Sequence, residues 1–391
     1  MNNKKLYTYP IIASFMAFIL VVMIISLFTK PAEYSNKENR ELAQKPSIFA
    51  STSFDQFTND MDAFLIDQFP LRNNVIEAQQ ETLLSAGEDV VIGDLYVLAD
   101  DYIFCHTHVT QSEEVVARAE AIAAKREELG IPFYYNIVPQ KNLLFADIEE
   151  MIDAGVDQAD VDLTLSILEE YNIPVINTCK YFQSLDMEEI EKSYYKTDYH
   201  WNNYGAYNAS EFLIKNLANQ HVINKTAVPV KEDFVWTDLT GRKYLGDLRK
   251  QVSLEVNVEE YLPVYTPVNA ADLKYYTDFS DNEVPRDTII FAGKDDEVLE
   301  YNRLNCDNPS YLRVENPFAI EDKHVLIIRD SFECAMRDYL STIFTEINVV
   351  DPRHSTAPDF DKIIEERDID MVLIIYHNST MGDYIEKYLM K

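Results

Sequence analysis

The sequence predicts an α/β protein with a mostly parallel sheet, preceded by an N-terminal transmembrane helix. From Ser112 onwards, short apolar runs alternate with segments of helical periodicity, which is typical of strands and helices that build a parallel sheet. Between Lys5 and Lys30 no residue is charged, and this length suffices for one membrane-spanning helix. Because ligands of such sheets bind beyond the carboxyl ends of the strands, the residues at those ends are the first candidates for a functional site.

The composition narrows the class of protein. The 391 residues include 34 Lys and Arg against 67 Asp and Glu, and the formal net charge is −33. With no tract rich in Lys or Arg, we expect no nucleic acid partner. The four cysteines, at positions 105, 179, 306 and 334, form no CxxC pair, which excludes zinc-ribbon and thioredoxin-type motifs. Disulfides are permitted by this number of cysteines but not required.

The N-terminal apolar run predicts a single-pass anchor over residues 1–30, with residues 6–29 in contact with lipid. Its centre, Ile11–Phe28, contains apolar and small residues only. The alternative is a cleaved signal peptide, whose apolar region is usually shorter and precedes an A-x-A-like site that is not present. The basic residues that follow the run outnumber those just before it, which by the positive-inside rule favours a cytoplasmic domain.

Residues 31–89 are predicted as a polar linker followed by a helical segment. Ser53 is a plausible N-cap, and the spacing from Phe54 to Leu65 places apolar side chains on one helix face that we expect to be core. Residues 90–105 predict short strands with turns at 93–94 and 100–101. His106 and His108 follow, but no third ligand is suggested nearby, so no metal site is predicted.

Residues 90–391 are predicted as one domain with an irregular, partly β insertion at about 220–310. Before the insertion we expect a helix over 112–129 that is capped by Ser112 and ended by Gly130, and another helix over about 203–219. IPFYYNIVP and IPVINT are predicted strands. After the insertion, VLIIRD, EINVVD and MVLIIYHN predict strands, and helices are expected over about 332–344, over 358–367 and at the C-terminus.

Two separated pieces carry the candidate chemistry. In KTDYHWNNYG, Asp198 and His200 are two residues apart, a spacing that places both on one side of an extended segment, so the carboxylate can orient the imidazole as a base. Ser331 follows the predicted strand VLIIRD and is the candidate nucleophile. Two alternatives stay open: Ser331 serves only as a helix N-cap, and the Asp–His pair only fixes its loop. A catalytic triad requires Ser331 Oγ within about 3–4 Å of a His200 nitrogen.

The segment TDYHWNNYGA resembles the D-x-H-W signature of the DHHW proteins and of the related alginate O-acetylation proteins, which are SGNH-hydrolase-like. Further pieces resemble the same family: ENREL and DQFPLR near the N-terminus, VPQKNLLF at a strand end, IIRDSFECAM and INVVDPRH. The resemblance implies a three-layer α/β/α fold with Asp and His before Ser in the chain. It also implies a membrane-anchored domain on the extracytoplasmic side of the cell membrane.

Carried over to this sequence, the resemblance makes Ser331 the nucleophile, His200 the base and Asp198 its orienting carboxylate. Substrate or oxyanion contacts are expected among Trp201, Asn202, Arg353 and Asn378, while the glycine of the usual oxyanion site has no counterpart that we can place. There is no G-x-S-x-G elbow, and no metal or cofactor is expected.

The implied function is O-acetylation of a cell-surface or exported polysaccharide, with a membrane-bound O-acyltransferase supplying the acetyl group. Two alternatives stay open: a carbohydrate acetylesterase, and a non-catalytic polysaccharide-binding scaffold.

Overall fold

The structure is a computed structural model. It describes the chain outside residues 1–9, 11, 18, 22–23, 26–29, 33, 36–39, 48–52, 71, 106–108, 146–153, 253–257, 291–294, 307–308 and 379–383. His106, His108 and much of the expected anchor therefore lie outside the described residues. No helix within the described part of the chain is both long and apolar enough to cross a bilayer.

The chain divides into two compact units. One comprises residues 1–100 with 251–255, and the other comprises residues 101–250 with 256–391. The predicted domain boundaries at 30/31 and 89/90 stay predictions.

The described part of the first unit contains, after residue 30, short strands and two helices. The strands are β1 (Tyr34–Ser35), β2 (Arg40–Glu41), β3 (Val90–Ile92) and β4 (Leu95–Val97), and the helices are α1 (Phe54–Asp67) and α2 (Arg72–Ser85). Ser53 caps α1 by accepting the Gln56 N–H at 3.0 Å, as expected. The prediction that the apolar face of α1 is core is wrong: the helix has no buried residue, and Phe54 is 70% exposed. The periodicity of the apolar residues predicts an amphipathic helix, but it does not determine whether another element packs against the apolar face.

The second unit is built around a seven-stranded sheet in the order β10-β11-β13-β12-β14-β6-β7. Five neighbouring strands are parallel, and β10 and β11 extend the sheet antiparallel at one edge. This confirms the predicted mostly parallel sheet. The strands of the sheet are β6 (Phe133–Val138), β7 (Val175–Asn177), β10 (Lys274–Tyr276), β11 (Tyr311–Glu315), β12 (Glu321–Arg329), β13 (Phe344–Val350) and β14 (Met371–His377).

Burial explains why these segments are strands. Every side chain in 325–328 of β12 and in 372–375 of β14 has 0% exposure. Successive side chains of a strand point to opposite faces, so both faces of the sheet are covered. Ile327 pairs with Val349 on one side and Leu373 on the other, which places β12 between β13 and β14.

The remaining elements of this unit surround or extend the sheet. The helices are α3 (Ser112–Leu129), α4 (Lys141–Leu144), α5 (Ala154–Glu170), α6 (Thr178–Gln183), α7 (Met187–Ser193), α8 (Asn203–Asn219), α9 (Tyr301–Asn305), α10 (Arg337–Leu340), α11 (Phe360–Arg367) and α12 (Tyr384–Leu389). The strand β5 (Ile103–Cys105) precedes α3, and β8 (Phe234–Asp238) pairs antiparallel with β9 (Pro263–Pro267). The expected insertion is thus partly β, and its strand β10 joins the main sheet.

Two helix predictions need correction. The N-cap of α3 is Gln111 rather than Ser112, although Gly130 ends the helix with φ +66° as expected. The helix expected over 332–344 is wrong: Ser331–Met336 is a 3-10 turn, α10 has four residues, and β13 already begins at Phe344. The residues from Phe332 to Leu340 are all buried, so no amphipathic face was there to set a helical period.

Candidate active site

Asp198, His200 and Ser331 form one hydrogen-bonded chain. Nε2 of His200 lies 2.8 Å from Oγ of Ser331, and Nδ1 lies 2.8 Å from Oδ1 of Asp198. Both distances suit proton transfer between a nucleophile, a base and an orienting carboxylate. Because a carboxylate only accepts, Nδ1 carries the proton in the neutral ring, and Nε2 is left to accept the Ser331 hydroxyl.

The strand β12 ends at Arg329, and Ser331 follows it after one residue, Asp330. The N-cap of the following 3-10 turn is Asp330, whose Oδ1 accepts the Phe332 N–H at 2.9 Å. The alternative that Ser331 is merely the cap is therefore wrong. Its hydroxyl is instead directed at His200, at the carboxyl edge of the parallel strands where the sequence placed the site.

The Asp198–His200 segment is a run of bends rather than the extended stretch that the spacing suggested. Asp198 Oδ1 accepts the backbone N–H of His200 at 3.2 Å in addition to the ring Nδ1–H. Its other oxygen accepts the Asp247 N–H at 2.9 Å and the Tyr244 hydroxyl at 3.1 Å. The carboxylate is thus held by four donors, two of them from the irregular insertion.

The electrostatics favour an ionised Asp198. Burial works to raise the pKa of this carboxyl, but the His200 ring and the backbone N–H groups of Asp247 and His200 outweigh it and bring the pKa down to about 2. Asp198 is therefore an anion at physiological pH, which stabilises a positive charge on His200.

Aromatic rings enclose His200, which is only 1% exposed. Tyr301 lies parallel to it with ring centroids 3.8 Å apart, and Phe332 contacts it at 5.0 Å. The Tyr301 hydroxyl also donates to the Ser331 carbonyl at 2.9 Å. One side chain from α9 thus contacts both the base and the residue that carries the nucleophile.

Trp201 and Asn202 have structural partners instead of open positions in the site. Trp201 is fully buried and donates its indole N–H to the Phe332 carbonyl at 3.0 Å. Asn202 caps α8: its Oδ1 accepts two N–H groups of the first turn, and its Nδ2 donates to the Lys192 carbonyl at 2.8 Å. Both residues lie beside His200, and their polar atoms are hydrogen-bonded within the protein. Their expected contact with substrate or an oxyanion stays a prediction.

Asn378 is likewise engaged, whereas Arg353 reaches the surface. Asn378 accepts the Gln140 N–H at 2.6 Å and donates to Asp157 at 3.1 Å, and its expected contact with substrate or an oxyanion stays a prediction. Arg353 is paired with Asp351 through two nitrogens, and its side chain is 35% exposed. Arg353 follows β13 at the same sheet edge as Ser331, and its expected contact with substrate stays a prediction.

A second histidine is tied to the turn that carries the nucleophile. Oδ2 of Asp330 accepts both the backbone N–H and Nδ1 of His377, at 2.7 and 2.6 Å. Burial works to raise the pKa of Asp330, but the charge of His377 and the hydrogen bonds from it hold that pKa below its usual range. The end of β14 is thereby fastened to the end of β12 beside Ser331.

A disulfide joins Cys334 in the Ser331 turn to Cys306, immediately after α9. It therefore connects the segment of the nucleophile to the helix that carries Tyr301. Cys105 and Cys179 are free thiols. The four cysteines thus form one disulfide and leave two free thiols.

Asp198, His200 and Asp247 each place a potential metal-ligand atom within 4.8 Å of the others. In the structure both nitrogens of His200 are hydrogen-bonded, to Asp198 and to Ser331, and Asp198 also accepts the Asp247 N–H. Hydrogen bonding within a Ser–His–Asp chain thus accounts for this cluster.

Several residues around the site were not found from the sequence. Tyr244, Asp247, Glu260 and Tyr301 come from the insertion, where no periodicity or spacing singles them out. Lys141 is different, because it lies in VPQKNLLF, a piece that resembled the strand end of the family.

A comparison with known protein families finds a match over part of the chain. Residues 99–290 match the family described as SGNH hydrolase-like domain, acetyltransferase AlgX. The match includes Asp198 and His200 and ends before Ser331. The resemblance to the SGNH hydrolase-like family that was stated from the sequence is thus confirmed.

Among solved structures, PatB1 of Bacillus cereus is similar with a TM-score of 0.64 and 23% identity, covering 76% of this chain and 99% of that one. PatB1 with a sulfonyl adduct gives the same TM-score at 21% identity, over 77% of this chain and 99% of that one. A DHHW family protein from Eubacterium siraeum has a TM-score of 0.58 at 16% identity, over 76% and 96% of the two chains. These likenesses show the shared fold. No curated protein matches the chain.

Proposed function

We propose that this protein is a membrane-anchored, extracytoplasmic O-acyltransferase that transfers an acetyl group to a hydroxyl of a cell-surface or exported polysaccharide. The observation that carries the proposal is the hydrogen-bonded chain from Ser331 through His200 to Asp198. The family described as acetyltransferase AlgX supports acetyl as the group transferred, and the resemblance to alginate O-acetylation proteins supports a polysaccharide acceptor.

In the first half-reaction, Ser331 Oγ attacks the carbonyl carbon of the acetyl donor while Nε2 of His200 takes the hydroxyl proton. The imidazolium that forms is stabilised by the Asp198 carboxylate. When the tetrahedral intermediate collapses, the bond to the leaving group breaks, and the leaving group takes the proton from His200. Ser331 is then an acetyl ester.

In the second half-reaction, His200 takes the proton of an acceptor hydroxyl, whose oxygen attacks the acetyl ester. The bond between the acetyl group and Ser331 breaks, and His200 returns the proton to Oγ. A sugar hydroxyl as acceptor gives an O-acetylated polysaccharide, and water as acceptor gives acetate. The Tyr301 and Phe332 rings pack against the His200 ring, which is only 1% exposed.

The Cys306–Cys334 disulfide supports an extracytoplasmic location, because such bonds persist in oxidising compartments. The uncharged run at residues 6–29 supports anchoring in the lipid bilayer. A membrane-bound O-acyltransferase is the proposed partner that delivers the acetyl group across that bilayer.

Covalent labelling tests the nucleophile directly. Protein beginning at Pro31 is treated with a sulfonyl fluoride, and the adduct is located by mass spectrometry of peptides. We expect one adduct on Ser331, none after Ser331→Ala and much slower labelling after His200→Ala, since the hydroxyl then lacks its base. Labelling of wild-type protein at other residues alone would overturn the covalent mechanism.

Transfer is then measured with p-nitrophenyl acetate as donor and alginate or chitin oligosaccharides as acceptors. An O-acetylated oligosaccharide supports the transferase, whereas acetate as sole product with every acceptor identifies an esterase. Binding of an oligosaccharide with equal affinity in wild type and Ser331→Ala, with no p-nitrophenol release from either, would establish a non-catalytic scaffold.

A further inference from the structure

Lys141 places a buried ammonium against the backbone of the loop that carries the acid–base pair. The residue follows β6 and is 1% exposed. Its Nζ donates to three carbonyls, those of Tyr195 at 3.1 Å, Lys196 at 2.9 Å and Asp198 at 2.7 Å. The three donors of an ammonium group are thus all used on one short segment.

The carboxylate of Glu260 accepts hydrogen bonds from the N–H groups of the same segment. Its Oε2 accepts the Lys196 N–H at 2.8 Å, and its Oε1 accepts the Thr197 N–H at 2.8 Å and the Thr197 hydroxyl at 2.5 Å. Glu260 is 2% exposed and comes from the insertion, far from Lys141 in the sequence. One buried cation therefore holds the carbonyls of the loop, and one buried anion holds its amides.

The carbonyl of Thr197, which Lys141 does not bind, is held by the backbone of a neighbouring segment. The Thr197 carbonyl accepts the Arg249 N–H at 3.1 Å. A Cβ atom built on Gly246 would lie 2.2 Å from that carbonyl oxygen, so only glycine permits this approach. Burying a lone charge is costly, and here two buried charges, those of Lys141 and Glu260, are both stabilised by hydrogen bonds to the main chain of residues 195–198.

We propose that Lys141 and Glu260 are positioning residues that hold the Asp198–His200 pair in the geometry needed to activate Ser331; the inference rests on the proposed acyl transfer. Neither residue contacts the reacting atoms. The bond from Lys141 to the Asp198 carbonyl fixes the backbone from which the carboxylate extends, and the carboxylate in turn orients His200. A displacement of about 1 Å at the base is enough to lower a rate about 100-fold.

The charge on Lys141 is sensitive to pH. Burial lowers the pKa of its ammonium to about 8, while Glu260, Asp198 and Cys105 act in the opposite direction. The Phe104 and Tyr102 rings also face the ammonium, at 4.8 and 5.8 Å from Nζ. Loss of the proton leaves one of the three carbonyls without a donor, so the catalytic rate is expected to decline above about pH 8.

The test compares Lys141→Met, Glu260→Gln and the double variant with a matched control, Lys125→Met. Lys125 is another buried lysine of the same unit, but its ammonium pairs with Asp361 at 2.9 Å and Glu128 at 3.1 Å and does not contact the site. The double variant removes both charges together, so neither is left unpaired. For each protein, kcat and KM for p-nitrophenyl acetate are measured on the folded fraction.

A spectroscopic signal reports the positioning independently of activity. The proton between His200 Nδ1 and Asp198 is shielded from solvent and is expected to give a low-field resonance in proton NMR spectra. Lys141→Met is expected to lower kcat by about 100-fold with KM nearly unchanged and to broaden or remove this resonance. Lys125→Met is expected to keep both.

A wild-type kcat and an intact resonance in folded Lys141→Met and in the double variant would overturn the proposal. If these variants do not fold, Glu260→Gln decides: a wild-type kcat and an intact resonance in that variant would contradict the proposal. Absence of acyl transfer in wild type, with the resonance present and lost in Lys141→Met, would refute the proposed function but retain the positioning role.

Discussion

The ring of Tyr301 lies flat on the ring of His200, with centroids 3.8 Å apart and planes within 1° of parallel. The same tyrosine donates its hydroxyl to the Ser331 carbonyl at 2.9 Å. Because an aromatic face attracts a cation, this stacking stabilises His200 most strongly when it holds the proton of Ser331. Tyr301 therefore links His200 and Ser331 from outside the Asp198–His200–Ser331 chain.

Two substitutions separate these contributions. Tyr301→Phe keeps the stacked ring and removes one hydrogen bond, so the rate of p-nitrophenyl acetate cleavage is expected to fall about 5-fold, equivalent to about 1 kcal/mol. Tyr301→Leu removes the ring as well, and the fall is expected to reach about 100-fold. Equal, wild-type rates in both variants would show that Tyr301 only fills space.

The triad predicts strong non-additivity. Ser331→Ala and His200→Ala should each abolish acyl transfer, and the double variant should be hardly slower than either, because the second change removes nothing that still works. Asp198→Asn should keep the fold but leave His200 in the wrong tautomer, costing about 10³–10⁴ in rate. Single-turnover kinetics with p-nitrophenyl acetate measure all four proteins. Retained burst kinetics in Ser331→Ala would contradict the acyl-enzyme.

The parallel part of the sheet was predictable because strands such as β12 and β14 are buried on both faces and therefore appear in the sequence as continuous apolar runs. The antiparallel edge strands β10 and β11 were not predicted. The spacing of Asp198 and His200, and the position of Ser331 after such an apolar run, were enough to single out three side chains that the structure brings together. Which residue caps the turn was not predictable, since Asp330 and Ser331 are adjacent and both are good caps.

The residues that support the triad were beyond sequence reasoning for a physical reason. Tyr244, Asp247 and Glu260 act through hydrogen bonds made by an irregular segment, where no period marks a buried face. The helix cap formed by Asn202 was not predicted, because an amide that caps a helix and an amide that binds an oxyanion look identical in sequence. Only the structure shows where the polar atoms of Asn202 are already bonded.

The Cys306–Cys334 disulfide is expected to stabilise both the fold and the site. Its cysteines are 28 residues apart, and a loop of that size corresponds to about 3–4 kcal/mol of unfolding free energy. Replacing both cysteines by alanine should lower the urea midpoint accordingly and reduce kcat, because the bridge ties the Tyr301 helix to the Ser331 turn. Cys105→Ala, which removes a free thiol, is the control. Unchanged stability of the double variant against urea would contradict this role.

The anchor prediction concerns residues 6–29. A chain that begins at Pro31 should be soluble and keep its cleavage of p-nitrophenyl acetate, because the acidic remainder contains no second uncharged run of that length. Salt-resistant association of this shortened chain with membranes would contradict a single anchor. Protease added to intact cells should degrade the full-length domain, and protection from it would place the domain in the cytoplasm.

The lowered pKa of Lys141 predicts how stability depends on pH. The side chain titrates at 10.5 when unperturbed and at about 8 in the folded protein, because burial disfavours the ammonium. Between these values the unfolded chain holds the proton and the folded chain does not, so the free energy of unfolding rises with pH. The gain relative to neutral pH reaches about 2 kcal/mol by pH 9.5. Lys141→Met lacks this group, while the tyrosines that titrate at higher pH are common to both proteins.

Urea unfolding of wild type and Lys141→Met is measured at pH 7, 8, 9 and 9.5. At each pH, the difference between their free energies of unfolding removes the contributions of the titrating groups that both proteins share. We expect the stability of wild type relative to the variant to increase steadily above pH 8. Over the same range the wild-type kcat is expected to decrease, because the neutral amine no longer holds all three carbonyls of the loop. A stability difference that stays constant from pH 7 to 9.5 would mean that Lys141 keeps its proton, and the decline in kcat would then have another origin.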